Sequence, residues 1–310
     1  MNLAFISHND CLDHQMGAHH VEVPERLGAI HDRMIASGIE MLVTHYDAPR
    51  AEREQLLRVH DADYVDAIVA AAPKASDVLA WVDGDTAMSC GTLNAALRAA
   101  GAAVLGVDLV MGDSHHAAFC AVRPPGHHAE RHAAMGFCFF NNVAVGAAHA
   151  MAVHGLTRVA IVDFDVHHGN GTEDIFAGDD RVLFCSSFQH PFYPGTGAGP
   201  TAANVINVPL PARTDGDAFR AAVERAWLPR LDAFAPQLIM ISAGFDGHAE
   251  DDMAHFRLRE ADYAWITHQI HELAMRHANE RVVSCLEGGY NLSALGRSVS
   301  THIDELIGHA

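Results

Sequence analysis

Continuous apolar runs recur along the chain, separated by longer Ala-rich stretches of helical character. The runs Leu3–Ser7, Met41–His45, Ala118–Val122, Val159–Phe164, Val182–Ser186, Leu238–Ser242 and Val282–Leu286 predict strands. Several lack polar alternation, which suits strands covered on both faces of a parallel sheet. The stretches between them predict helices over Glu25–Ser37, Ala62–Ala72, Cys90–Met111, Asn142–His154, Asp217–Phe234, Arg259–His277 and Leu292–Leu306. Such alternation predicts a three-layer α/β domain with a mostly parallel central sheet flanked by helices. No Pro-, Ser- or Gly-rich linker and no short repeat divides the chain, so residues 1–310 read as one domain.

In open α/β sheets, ligands bind beyond the carboxyl ends of the strands. The residues with chemistry fall there. After the strand ending near Phe164 come Asp165 and His167, which an extended backbone projects to one side. A second buried strand ends in Ala243-Gly-Phe-Asp246. Two carboxylates and one imidazole, with a position open for water, describe a catalytic metal site better than a structural one. The mixed oxygen and nitrogen donors suit Zn²⁺ and also accept Fe²⁺. Helix capping is the competing reading of Asp165 and His167, and Asp246 after another strand weighs against it.

Three further segments meet the same edge. Arg123-Pro-Pro-Gly-His-His128 holds two adjacent imidazoles on a stiff approach. Histidine can take a proton from a water and give one to a leaving amine near neutral pH. Asp163 and Asn170, flanking the ligand candidates, can orient these rings. A carboxylate beside one ring keeps it cationic, while an amide beside the other leaves it free as a base. Glu287-Gly-Gly-Tyr290 follows the last strand. Gly288 and Gly289 let the backbone approach a ligand, and Tyr290 can aim a hydroxyl where negative charge develops. Gly136-Phe-Cys-Phe-Phe140 and Pro191-Phe-Tyr-Pro-Gly195 can wall a narrow channel, with Phe139 and Phe140 read as core.

Composition narrows the classes. A formal charge of −19 disfavours a basic nucleic-acid surface; it can draw in a cationic substrate or simply keep the protein soluble. The 24 histidines include four His-His pairs, about twice chance at this composition, so context must choose among them. Six cysteines without CxxC spacing read as buried free thiols in a reducing compartment. The first residues lack a basic n-region and a long apolar h-region, and no uninterrupted apolar stretch is long enough to span a bilayer. A cytoplasmic protein with no membrane partner is expected, and a homo-oligomer is compatible with it. No GxGxxG follows the first strand, and GxxxxGK[ST] and GxSxG are absent.

Together, RPPGHHA at 123–129, GFCFFNN at 136–142, DFDVHHGNGT at 163–172, PGTG at 194–197, SAGFD at 242–246 and EGGY at 287–290 resemble the histone deacetylase superfamily, in its order over nearly the whole chain. Val23-Pro-Glu-Arg-Leu27 also fits. The resemblance implies an arginase–deacetylase fold and a zinc-dependent amidohydrolase with one Zn²⁺ per chain. It makes Asp165, His167 and Asp246 the zinc ligands. His128 becomes general base and acid, His127 its electrostatic partner paired to Asp163, and Tyr290 the carbonyl-polarising residue. It implies Phe137 and Tyr193 as channel walls and a potassium ion near Asp163, Asp165 and His167. Asn170 stands where class I members usually carry Asp, which points to class II and its bacterial relatives. Met253 aligns with a mouth position that is glutamate in polyamine deacetylases and apolar in protein deacetylases. The substrates implied are acetylated lysine peptides or small acyl-amines such as acetylpolyamines. Two rival readings remain open: an arginase-like dimanganese hydrolase, whose Asp-x-His-x-Asp pattern lacks its last carboxylate at Gly169, and a non-catalytic acyl-lysine binding module.

Overall fold

All seven predicted apolar runs lie in one sheet. The computed structural model describes residues 3–76 and 78–308; Met1, Asn2, Asp77, His309 and Ala310, including both ends of the expected 1–310 domain, lie outside the described residues. The strands are β1 (Leu3–Ser7), β2 (Val43–Asp47), β3 (Ala80–Trp81), β4 (Ala87–Met88), β5 (Ala117–Cys120), β6 (Val159–Asp163), β7 (Val182–Gln189), β8 (Val205–Leu210), β9 (Leu238–Ala243) and β10 (Val282–Leu286). Eight of them join in the order β2-β1-β5-β10-β9-β6-β7-β8, every pairing parallel, while β3 and β4 form a separate antiparallel hairpin. Every residue of β6, β7, β9 and β10 is buried, as the unalternated apolar runs require.

The helices are α1 (Glu25–Ser37), α2 (Arg53–Leu56), α3 (Ala62–Ala71), α4 (Thr92–Met111), α5 (Asn142–Val153), α6 (Asn170–Phe176), α7 (Gly216–Ala226), α8 (Leu228–Phe234), α9 (Glu260–His277) and α10 (Leu292–Ile307). Helices α4 and α5 pack on each other and on β5, β9 and β10, whereas α1, α9 and α10 pack together as a second group. Helix α4 is long and apolar enough to cross a membrane by length and composition, but it is a core helix, buried over much of its length.

Three local departures from the sequence reading have physical causes. Strand β8 was not expected, because Pro209 interrupts its apolar pattern; the strand lies at the sheet edge, where a missing N–H is tolerated. The single helix expected over Asp217–Phe234 is two, broken at the buried Trp227, with a proline in the first turn of α8. Strand β2 begins two residues late because Ile39–Leu42 coil into a 3₁₀ turn that leaves Met41 exposed. Five of the six free cysteines are buried as expected, and Cys90 is exposed.

Strand order places the site. The four strands β5, β10, β9 and β6 are adjacent, and register aligns their ends: Asp163 pairs with Ser242, and Leu286 with Ala243. The loops carrying His127–His128, Glu287–Tyr290, Asp246 and Asp165–His167 therefore leave the sheet side by side.

The core also carries a pH dependence. His302 is buried on three phenylalanine rings, and burial pushes its pKa down to about 3. Thr267 Oγ1 donates to Tyr263 O, so His302 Nδ1 donates to Thr267, and Ser284 donates to Nε2. The neutral ring satisfies both contacts. The unfolded chain takes up this proton near pH 6.5 and the folded chain does not. Stability is thus full above pH 6.5 and falls below it, by at most about 1.4 kcal/mol per pH unit for this group. Urea unfolding at pH 7.5, 6 and 5 should show a shallower fall in His302→Gln than in the parent; parallel curves would contradict this assignment.

Candidate active site

Asp165 and His167 leave the end of β6, and Asp246 leaves the end of β9. One donor atom from each lies within 4.8 Å of the others, and all three side chains are buried. His167 Nδ1 is 3.0 Å from Asp165 Oδ1 and 3.2 Å from Asp246 Oδ2. The remaining carboxylate oxygens are held from outside. Asp165 Oδ2 accepts from Gly288 N at 2.9 Å, and Asp246 Oδ1 from Val166 N at 3.0 Å. Among the described residues Asp246 Oδ2 is buried and makes no hydrogen bond; apart from the ion-pair contact with His167 nothing meets its charge. A buried carboxylate oxygen so weakly satisfied is costly unless a cation meets it. Burial and Asp165 together push Asp246 up to about 6. Burial opposes a charge on His167, yet Asp165 and Asp246 outweigh it and push its pKa up to about 10. A proton on the imidazole thus offsets carboxylate charge where a divalent cation would do so more strongly. The residues fit a divalent ion bound through two oxygens and one nitrogen. A side chain on Gly288 would collide with both carboxylates, so glycine is required there.

Among the described residues, two other groups have the composition of a metal site but not its chemistry. His149 and His154 both meet Asp108 Oδ1, at 2.8 and 2.7 Å. Arg58, which can only donate, faces His149 Nδ1. That forces the His149 proton onto Nε2 and makes the nitrogen a donor to Asp108 instead of a ligand. In the group Glu130, His132 and Asp174, Glu130 already accepts from Asn170 and Asp174 from Arg131 N.

The two histidines after β5 differ through their partners. His127 Nδ1 is 2.9 Å from Asp163 Oδ2. Burial disfavours its charge, but Asp163 and Asp165 push the pKa up to about 10, so the ring is an imidazolium. His128 Nδ1 is 2.7 Å from Asn170 Oδ1. The Asn170 amide is oriented because its Nδ2 donates to Glu130 Oε1 at 2.8 Å. Its oxygen therefore faces His128, Nδ1 carries the proton and Nε2 keeps its lone pair. Burial, then the cations His127 and His167, hold the His128 pKa well below the usual imidazole range. The rings lie 4.0 Å apart between centroids, one cationic and one basic.

Gly126 is required by space: a side chain there would come within 2.5 Å of Asn142 N. The glycine lets the histidine loop press against the start of α5.

A cavity of about 200 Å³ opens above these groups. His127, His128, His167, Gly288 and Tyr290 line it, with Phe137, Tyr193 and Met253 among its walls. Gly289 does not line it; its carbonyl accepts from Arg26 Nε. Phe139 and Phe140 are core, as expected. Burial holds the Tyr290 hydroxyl protonated, with its pKa well above the usual phenol range, so it can donate.

Phe192, on the aromatic loop read from the sequence as a channel wall, lines the cavity as well. Asp85 also lines it and had no sequence signal. Asp85, in the β3–β4 turn, accepts from Gly136 N at 3.1 Å and so ties the hairpin to the channel wall. Beneath the site, Arg26 lies 5.0 Å over the Tyr290 ring and is 2.9 Å from Glu22, which also pairs with Arg123.

The model described as Histone deacetylase domain matches residues 20–306. Type-2 histone deacetylase 2 of Dictyostelium discoideum is 35% identical over 97% of this chain, which spans 20% of that protein. A histone deacetylase-like amidohydrolase of Pseudomonas aeruginosa is 36% identical over 94% of this chain and 78% of its own. The solved HD domain of HDA15 superposes with a TM-score of 0.91 at 32% identity, over 99% of this chain and 89% of that one.

Proposed function

The chain belongs to the histone deacetylase family, a family dependent on zinc, and from that premise we propose that it hydrolyses the amide of N-acetylated lysine side chains, releasing acetate. The observation that carries this reading is the meeting of Asp165, His167 and Asp246 beneath an imidazole pair split into cation and base. One Zn²⁺ per chain would be held by these three side chains, and when bound it supplies Lewis acidity that polarises a carbonyl and acidifies a water.

The chain's own residues account for the proton transfers and charge. His128 Nε2, with its lone pair exposed to the cavity, takes the proton of the attacking water and returns it to the departing amine. The His127 imidazolium and the Tyr290 hydroxyl present positive ends where the acyl oxygen gains charge. Asp163 and Asn170 hold the two rings in their different protonation states. Phe137, Phe192, Tyr193 and Met253 enclose an apolar channel suited to the methylenes of a lysine stem. Met253 at the wall, where polyamine deacetylases of this family carry glutamate, supports acetyl-lysine over acetylpolyamine.

A potassium ion beside Asp163 belongs to the same proposal. It is supported by the buried Ser186 hydroxyl, which has no hydrogen-bond partner among the described residues and pairs with Asp163 in the sheet register. The free thiols support a cytoplasmic location.

An acetate-release screen of acetylated lysine peptides against acetylated polyamines tests the substrate. Turnover of peptides well above polyamines is expected; the reverse order would reassign the substrate, and no release from any acyl-amine by zinc-loaded protein would overturn the activity. Within the same assay, Tyr290→Phe should lower kcat by about a hundredfold or more, the usual cost of losing one donor to a developing oxyanion. Near-parental turnover would remove Tyr290 from this role.

A further inference from the structure

We infer that Glu287 is a positioning residue for the catalytic histidines: its buried carboxylate sets the height of the His127–His128 loop above the sheet through two backbone hydrogen bonds. The inference rests on the function proposed above for those histidines.

Glu287 is the first residue after β10 and is fully buried. Its Oε2 accepts from Gly126 N at 2.7 Å and from His127 N at 3.1 Å. Its Oε1 accepts from Ser242 Oγ, on β9, at 3.1 Å. One side chain thus ties the loop after β5 to β9 and β10 across three adjacent strands of the sheet. Its own backbone is fixed as well, with its N–H on Ala243 O and its carbonyl accepting from Arg26 Nη2 at 2.5 Å.

The loop has few other anchors at this point. Gly171 N and Thr172 N donate to His127 O, so the carbonyl side of His127 is held by the start of α6. The N–H side is held by Glu287. Removing the carboxylate leaves two buried N–H groups without acceptors, and the backbone would shift to recover them. A shift of His127 and its neighbour carries both imidazoles with it, and small misplacements of reacting groups are expensive in rate. The channel walls, on the Phe137 and Tyr193 loops, make no hydrogen bond to Glu287 and should not move. The effect should therefore fall on kcat and leave KM nearly unchanged.

Glu287→Gln separates position from charge. Its amide oxygen can accept from both N–H groups, while its NH₂ donates to Ser242 Oγ, which can accept. Glu287→Ala removes the acceptor altogether. The experiment compares the two variants with the parent for kcat and KM on an acetyl-lysine peptide, zinc content, unfolding midpoint, and the backbone amide shifts of Gly126 and His127 by NMR. Expected are a loss of about tenfold or more in kcat for Glu287→Ala with KM within about twofold, one zinc retained, upfield movement of both amide protons, and recovery of most of the rate in Glu287→Gln. If Glu287→Ala lowers only the unfolding midpoint and keeps parental kcat and amide shifts, the residue is merely structural and the inference falls. If Glu287→Gln loses as much rate as Glu287→Ala, the charge and not the hydrogen-bond geometry matters, and the inference also falls. An inactive parent would overturn the proposed function, while the amide shifts would still report whether Glu287 sets the loop.

Discussion

His128→Ala is expected to lower kcat for an acetyl-lysine substrate by about a hundredfold to ten-thousandfold, the range ascribed to general acid–base catalysis. The size follows from the lack of a substitute. His127 is held as an imidazolium by Asp163 and Asp165 and has no lone pair to offer. His167 Nδ1 faces Asp165 and Asp246 and is committed to the metal group. Of the three histidines lining the cavity, His128 is the one with a free Nε2 and a depressed pKa. Zinc content should stay at one per chain, because His128 is not among the ligand candidates, and KM should change little. Steady-state kinetics on zinc-loaded variant decides the matter; turnover within about tenfold of the parent would assign the proton transfer to another group.

The largest stability effect should come from Glu22→Ala, which is expected to cost about 3–5 kcal/mol, as breaking a buried ion pair from one side normally does. Glu22 is buried and receives Arg26 Nη1 at 2.9 Å together with the Nε and Nη2 of Arg123. Burial would raise its pKa, but Arg123, His14 and Arg26 hold it far below the usual carboxylate range. Without it, two buried guanidiniums lose the counter-charge they share. A loss of that size is a large fraction of a typical stability of about 5–15 kcal/mol. Function would suffer too, since Arg26 also holds the carbonyls of Glu287 and Gly289 below Tyr290. Urea titration followed by circular dichroism measures it; a shift below about 1 kcal/mol would mean the arginines find other partners.

What could be read from the sequence follows from distance along the chain. Asp165 and His167 are two residues apart at the end of an unalternated apolar run, so strand geometry alone suggests that they share a target. Asp246 and the His127–His128 pair follow other runs of the same kind, and parallel strands bring such ends to one edge. The pairing of each histidine with its own partner needed more: Asp163 and Asn170 were nearby candidates, but only the orientation of the Asn170 amide by Glu130 settles which nitrogen of His128 carries the proton. Glu22 and Arg123 lie 101 residues apart, and no local period marks either. Asp85 sits in a short hairpin whose strands are two residues each, too brief to leave a pattern. Phe192 was legible as part of the aromatic Pro191–Gly195 loop, and it lines the channel. Strand β8 was hidden by Pro209, a residue that argues against a central strand and is tolerated at the edge where β8 lies.

Where the metal binds decides whether this site is a hydrolase centre. Crystals of the zinc-loaded protein, with anomalous diffraction recorded at the zinc absorption edge, should show one peak per chain, bonded by Asp165, His167 Nδ1 and Asp246 at about 2.0–2.2 Å. A peak at Asp108, His149 and His154 in its place, two peaks at the site, or none there would contradict it.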